Sequence, residues 1–163
     1  MAFPNYKINP DALKYFEIAY NHQMQGELKQ AVIYYKKSLE IEQTAEAYTF
    51  LGWTYSFMGK LEDAIDECHK AIAIDPDFGN PYNDIGAYLL QMHRIDDALP
   101  WFQKAKKAPR YANPEFAYCN LAKVYELQGL WPLAVAEYEK ALEIRPDYQQ
   151  ASDALARLEV NLN

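Results

Sequence analysis

Residues 45–78 read AEAYTFLGWTYSFMGKLEDAIDECHKAIAIDPDF. In the first half of this stretch Tyr48, Leu51, Gly52 and Tyr55 recur at i, i+3, i+4 and i+7, the spacing that lays side chains along one stripe of an α-helix. Gly59 stands where a chain leaving a helix turns left-handed, and Leu61 and Glu62 restart the pattern. Ala64, Ile65, Cys68, Ala71 and Ile72 then form a second stripe, which Pro76 stops. Small Gly52 and Ala64 on facing helices permit close approach while Tyr48 and Tyr55 fill the remaining space, so the unit reads as an antiparallel helix pair. One such pair cannot bury both of its faces alone.

Working outward, the same unit recurs. Ala31, Ala64, Ala98 and Ala134 follow one another at intervals of 33, 34 and 36 residues, and Tyr35, Cys68, Phe102 and Tyr138 keep the same intervals. Repetition at this period is the mark of a solenoid built by stacking helix pairs. On these residues the chain resembles the tetratricopeptide repeat (TPR) family, whose pattern runs W-x2-L-G-x2-Y, then A-x3-F, then P. The second repeat supplies Tyr48, Leu51, Gly52, Tyr55, Ala64, Cys68 and Pro76; the fourth supplies Tyr118, Leu121, Ala122, Tyr125, Ala134, Tyr138 and Pro146. The third is looser, with Tyr82, Ile85, Gly86, Leu89, Ala98 and Phe102, Pro109 one place early and two extra residues before the next unit. In the first, Tyr15, Ile18, Ala19, Ala31 and Tyr35 match, but His22 replaces the usual aromatic and no proline closes the unit.

The resemblance implies an all-α fold, a right-handed α-solenoid of four TPR helix-turn-helix repeats at about 12–44, 45–78, 79–114 and 115–148. A lead of residues 1–11 precedes them, with Asn9, Pro10 and Asp11 as a cap, a first-turn proline and an early acid. Residues 149–163 follow as a capping helix, with Ala151, Leu155, Ala156 and Leu158 turned inward and Asp153, Arg157 and Glu159 turned to water. His93 stands at a turn where the other repeats have glycine, and is expected to take a positive φ.

The chain has 163 residues, half of them hydrophobic, with a net charge of −7 and a pI near 5.0. Such a balance opposes general affinity for nucleic acid or anionic lipid and favours a basic or apolar partner. MAFPNYKINP has neither the basic segment nor the apolar run of a secretory signal, and no stretch approaches the ~20 apolar residues that span a bilayer, so the expected location is cytoplasmic. Cys68 and Cys119 are the only cysteines and form no disulfide framework.

No catalytic or cofactor-binding constellation emerges, and the expectation is a protein that is not an enzyme and carries no cofactor. Cys68 and His69 are adjacent, which on a helix points them about 100° apart. The acids Glu62, Asp63, Asp66 and Glu67 fall in the first turns of a helix, where they complement the dipole and face water. Lys104, Lys106, Lys107 and Arg110 close a helix at its negative end, with a small phosphate or acidic-partner patch as the alternative.

Family resemblance implies that first helices line a concave groove where peptides or partner helices bind. It assigns groove exposure to positions off the packing stripe, which bring Phe16, Tyr20, Phe50, Trp53, Phe57, Asn83, Asp84, Asn120 and Lys123 forward as candidate binding residues, with Cys119 among the same positions. The aromatics offer pockets for anchor side chains, the amides offer a donor and an acceptor to a peptide backbone, and the acids favour a basic segment. The bland alternative is that neighbouring helices, or Phe3 and Tyr6 of the lead, cover this area. The lysine, arginine and asparagine clamp by which some family members hold acidic chaperone tails is missing: its places hold Phe16, Tyr20, Phe50, Asn80 and Asp84, or Thr49, Trp53, Asp84, Phe116 and Asn120 one repeat later. The leading expectation is therefore an adaptor or scaffold that binds a protein segment. The alternatives are a small chaperone similar to bacterial secretion chaperones and a self-assembling scaffold that forms homo-oligomers.

Overall fold

The computed structural model describes residues 8–162, with side chains as far as Leu158. Phe3, Tyr6 and the side chain of Glu159 lie outside the described residues. Among the described residues the chain forms α1 (Pro10–Met24), α2 (Leu28–Ile41), α3 (Ala45–Phe57), α4 (Leu61–Ile74), α5 (Gly79–Gln91), α6 (Ile95–Lys107), α7 (Glu115–Leu127), α8 (Trp131–Ile144) and α9 (Gln149–Leu162). They pack as antiparallel pairs α1/α2, α3/α4, α5/α6 and α7/α8, each second helix also lying against the next first helix, and α9 closes the stack on α8. The fold is an all-α solenoid. None of these helices is long and apolar enough to cross a membrane.

Local sequence explains where the helices begin and turn. The Asn9 side chain accepts a hydrogen bond from the Asp11 N–H at 2.9 Å with Pro10 in the first turn, and Thr44 caps α3 by accepting from the Ala47 N–H at 3.2 Å. All four intra-repeat turns use one device. Lys60 N–H donates to the Tyr55 carbonyl at 3.0 Å and Gly59 N–H to Ser56 at 3.0 Å, and the equivalent pairs recur at Glu27–His22, Arg94–Leu89 and Leu130–Tyr125. The pivot of that turn needs a left-handed residue, supplied by Gly26, Gly59 and Gly129, and in the third repeat by His93 at φ 59°.

The repeated alanine and aromatic positions form the core between layers: Ala31, Ala64, Ala98, Ala134, Tyr35, Cys68, Phe102 and Tyr138 are all buried. At Gly52 a Cβ would stand 2.9 Å from the Ala64 carbonyl, so this glycine sets how closely α3 and α4 approach. In α9 the inward stripe is Ala151, Ala154 and Leu158. Ala156, expected inside, is exposed, because the helix is rotated to seat Ala154 on α8.

The two extra residues of the third repeat lengthen the α6–α7 connection, which folds back along the α4–α5 connection. Arg110 N–H donates to the Asp77 carbonyl and Gly79 N–H to the Arg110 carbonyl, both at 3.0 Å, making a short parallel bridge between Phe78 and Arg110. This return places Arg110 beside the first helix of the second repeat and Tyr111 beside the first helix of its own.

Candidate functional site

First helices touch first helices along the stack, α1 with α3, α3 with α5 and α5 with α7, whereas the second helices make no comparable contact with one another. The first helices therefore form the inner, concave layer. Its N-terminal half is a run of rings centred on Phe50, which meets Phe16, Tyr20 and Trp53 edge-on at centroid distances of 5.3, 5.9 and 5.5 Å. Trp53 in turn lies 5.5 Å from Phe57. These offset and edge contacts suit the quadrupoles of the rings and fix their orientation.

The ladder grades from core to surface. Phe16, expected in the groove, is only 4% exposed and packs against Tyr35 at 5.4 Å, so it builds the wall beneath the groove. Tyr20 and Phe50 are half-buried, while Trp53 is 39% and Phe57 56% exposed, with Met24 of α1 also open to solvent. Below them Gln23 is buried and its Oε1 accepts from the Tyr35 and Thr54 hydroxyls at 2.7 and 3.1 Å, which pins α1, α2 and α3 together. Thr49 is buried because its hydroxyl donates back to the Ala45 carbonyl at 2.7 Å.

The middle of the concave face is polar and built differently. Asn120 Nδ2 on α7 donates to Asn83 Oδ1 on α5 at 3.0 Å, so the two amides tie neighbouring repeats together. Beside Asn83, Asp84 is half-buried, and loss of water around its carboxyl pushes its pKa up to about 7 against the opposing hydrogen bond from Asn83. Its charge also raises the phenol of Tyr88, one turn further along α5, the phenol of Tyr111 and the thiol of Cys68 on α4, each of them raised first by burial. The Tyr111 hydroxyl is buried without a hydrogen-bond partner, and the Tyr88 hydroxyl is buried beside Ser56 on α3. Tyr111 packs against Gly79, where an added Cβ would stand 2.5 Å from the Cβ and Cγ of the tyrosine, so only glycine admits it.

Arg110 braces this region. Its guanidinium donates to Asp75 Oδ2 at 2.8 Å and to Glu46 Oε1 at 2.9 Å, spanning 64 residues, and stacks 4.0 Å above the Phe78 ring. Glu46 is consequently buried rather than open to the groove. In the last repeat Arg145 does the same for buried Glu115 at 2.6 Å.

Toward the C-terminus, exposed Lys123 borders a cleft of about 450 Å³ shared with Glu126, Tyr138 and Arg157. Glu126 accepts from Arg157 at 2.9 Å and from the Tyr138 hydroxyl, so its charge is met internally. Cys119, placed by repeat position in the groove, is buried, and burial pushes its thiol up, away from reactivity.

The charged runs resolve into separate contacts. Lys106 pairs with Glu137 at 2.6 Å, Lys104 sits 4.5 Å over Trp101 and Arg110 is the brace, while Lys107 is exposed. Glu62, Asp63 and Asp66 face water, but Glu67 is buried and paired with Lys70 at 2.8 Å. Among the described residues no group of three or more His, Cys, Asp or Glu is placed to hold a metal. Sequence reasoning missed the contacts of Arg110 and Tyr111 with the first helices. The one signal for them was the two-residue excess of the third repeat.

Models of the tetratricopeptide repeat match residues 15–44, 45–78 and 116–148, more than half of the chain. The chain is 25% identical over 146 residues to the type IV pilus assembly protein PilF of Pseudomonas aeruginosa, covering 88% of this chain and 58% of that relative's length. The solved structure of Pseudomonas aeruginosa pilF superposes with a TM-score of 0.84 at 24% identity, over 93% of this chain and 68% of that one. MamA is likewise similar, with a TM-score of 0.73 at 25% identity over 88% of this chain and 84% of that one. The same helix-pair architecture thus supports proteins of different names, and neither likeness transfers a partner. With its repeat matches, its four helix pairs and its shared turn device, the chain belongs to the tetratricopeptide repeat family.

Proposed function

We propose that this protein is a non-enzymatic interaction scaffold that holds a protein segment, apolar or basic in character, in its concave groove. The observation that carries the proposal is the graded aromatic ladder, in which buried Phe16 packs on half-buried Phe50, Phe50 on Trp53 and Trp53 on Phe57, the last two open to solvent. Exposed rings packed on one another along a concave surface suit an anchor side chain, because packing lowers the ordering cost of binding. Tyr20 and Met24 border the ladder, and Lys123 edges the far end of the same face. A bound segment that follows the groove runs from the aromatic half across Asn83, Asp84 and Asn120.

The test is capture of a partner from native extract by the wild type, by Trp53→Ala and by Ile74→Ala, the last an exposed residue of the outer layer. Trp53→Ala is expected to lower partner affinity by about tenfold or more, with the fold intact by circular dichroism, and Ile74→Ala to leave it unchanged. Equal capture by all three would reject the groove.

A second reading, self-association, draws on a different surface. Leu127, Leu130, Trp131 and Leu133 are all exposed around the α7–α8 turn, an apolar patch remote from the aromatic ladder. Light scattering across a concentration series tests it: a mass that rises with concentration and falls back in Trp131→Ala supports association through this turn.

A further inference from the structure

We infer that a cleft between α4 and α6, on the outer layer, receives a tryptophan side chain of a basic protein segment, a second attachment point on the face opposite the groove. Successive second helices do not close on one another, so each pair leaves a seam floored by the first helix between them. Two of the seams are filled by charge. In the α2/α4 seam Glu67 pairs with Lys70 at 2.8 Å and Lys70 Nζ lies 5.9 Å over Tyr48. In the α6/α8 seam Glu137 pairs with Lys106 at 2.6 Å and Lys106 Nζ lies 4.3 Å over Tyr118. The α4/α6 seam departs from this rule, because Trp101 holds the repeat position of Glu67, 34 residues before it, and of Glu137, 36 residues after it.

A cleft of about 380 Å³ opens there, within the ~300–1,000 Å³ of small-ligand sites. Its floor is Ile85 and Leu89 of α5, both buried; Ile65 and His69 wall it from α4, and Pro100 and Trp101 from α6. The Trp101 indole is held by its neighbours. Tyr82, whose hydroxyl donates to the Pro76 carbonyl at 3.0 Å, lies 6.2 Å from it, the His69 ring meets it edge-on at 5.3 Å, and Lys104 Nζ stands 4.5 Å over it. An incoming ring therefore meets an aliphatic floor and an aromatic wall. Pro100 adds a polar handle: it has no N–H to give to the Asp96 carbonyl four residues back, so an acceptor at the rim lacks its helical donor. An indole offers one N–H donor and no acceptor, which matches an apolar cleft with a single such carbonyl.

Charge selects the rest of the segment. Glu62, Asp63 and Asp66 in the first turns of α4, and Asp96 and Asp97 in the first turn of α6, are all exposed. Arg94, which also lines the cleft, already pairs with Asp97 at 2.7 Å. A basic segment is attracted to this surface and an acidic one repelled. Ile74, the outer-layer control, lies nine residues on from Ile65 and so half a turn round α4, away from the cleft.

The test uses the intact protein carrying 5-fluorotryptophan, in which Trp53, Trp101 and Trp131 report separately on the groove, the cleft and the α7–α8 turn by fluorine NMR. The probe is acetyl-Lys-Trp-Lys-amide, with acetyl-Lys-Ala-Lys-amide and acetyl-Glu-Trp-Glu-amide as controls. The probe is expected to move the Trp101 signal to a plateau and leave Trp131 in place, the alanine control to move neither, and the glutamate control to bind about tenfold more weakly at low salt. Trp101→Glu, which installs the residue of the neighbouring seams, should keep the helical content and lower the affinity measured by calorimetry about tenfold or more. Pro100→Ala returns a donor to the Asp96 carbonyl and should weaken the tryptophan peptide a few-fold while sparing its phenylalanine counterpart. No saturable shift at Trp101, a shift confined to Trp53, or an unchanged affinity in Trp101→Glu overturns the cleft. Failure here and failure of the groove are separable, since Trp53→Ala should leave the Trp101 response unchanged.

Discussion

The two halves of the concave face solve opposite problems. In the N-terminal half every ring has its neighbours: Phe50 meets four aromatics, Gln23 receives two hydroxyls below, and Trp53 and Phe57 leave hydrophobic area exposed. In the middle polar groups carry the structure: Asn120 ties to Asn83, burial raises the Asp84 carboxyl, and Arg110 joins Asp75 to Glu46. One half presents apolar area toward the groove. The other buries charged and polar groups, a cost that internal pairing such as Arg110 with Glu46 offsets.

The largest effect expected on the polar half comes from its brace. Arg110→Ala leaves Glu46 buried and unpaired across two repeats, and should lower stability by about 2–3 kcal/mol, read as a lower urea midpoint with an unchanged slope. The aromatic half is expected to behave in the reverse way. Trp53→Ala, already on the surface, should change stability by less than about 0.5 kcal/mol while weakening partner binding as described above.

Asp84→Asn sharpens the contrast because it should stabilise the protein. Asp84 is raised in the folded state, so the favourable protonated form is fully available below the unfolded pKa of about 4, and that contribution is lost as pH rises toward about 7. The wild type should therefore match Asp84→Asn near pH 4 and fall behind it by about 1–3 kcal/mol at pH 8, a range held low because the carboxyl is partly open to water. Thermal melts of both proteins across that range check it, and a gap that narrows with rising pH would contradict it. The smallest change is His93→Gly, which relieves a non-glycine residue at φ 59° and should raise stability by about 0.5–1 kcal/mol at the third turn, with no effect on either half of the groove.

What could be read from the chain follows from range. The stripe Tyr48, Leu51, Gly52 and Tyr55, the alanine and aromatic series and the positive φ of His93 depend on neighbours within one helix pair, and periodicity reports such contacts directly. Repeat position also placed Trp53 and Phe57 on the inner face, since the twist per repeat is regular. It failed at Phe16 and Cys119, which hold those positions yet are covered by Tyr35 and by the final helices. It failed too at Arg110, whose carboxylate partners lie 35 and 64 residues back and are reached only because two extra residues turn the connection around. No local pattern carries a contact of that kind.

The central claim is that ligands meet the inner face. Photocross-linking in native extract from Phe57→p-benzoylphenylalanine, on the inner face, and Ile74→p-benzoylphenylalanine, on the outer layer, tests it most directly. The account predicts a discrete adduct from position 57 that is lost when Trp53→Ala is added, and none from position 74. An adduct from position 74 alone would contradict it.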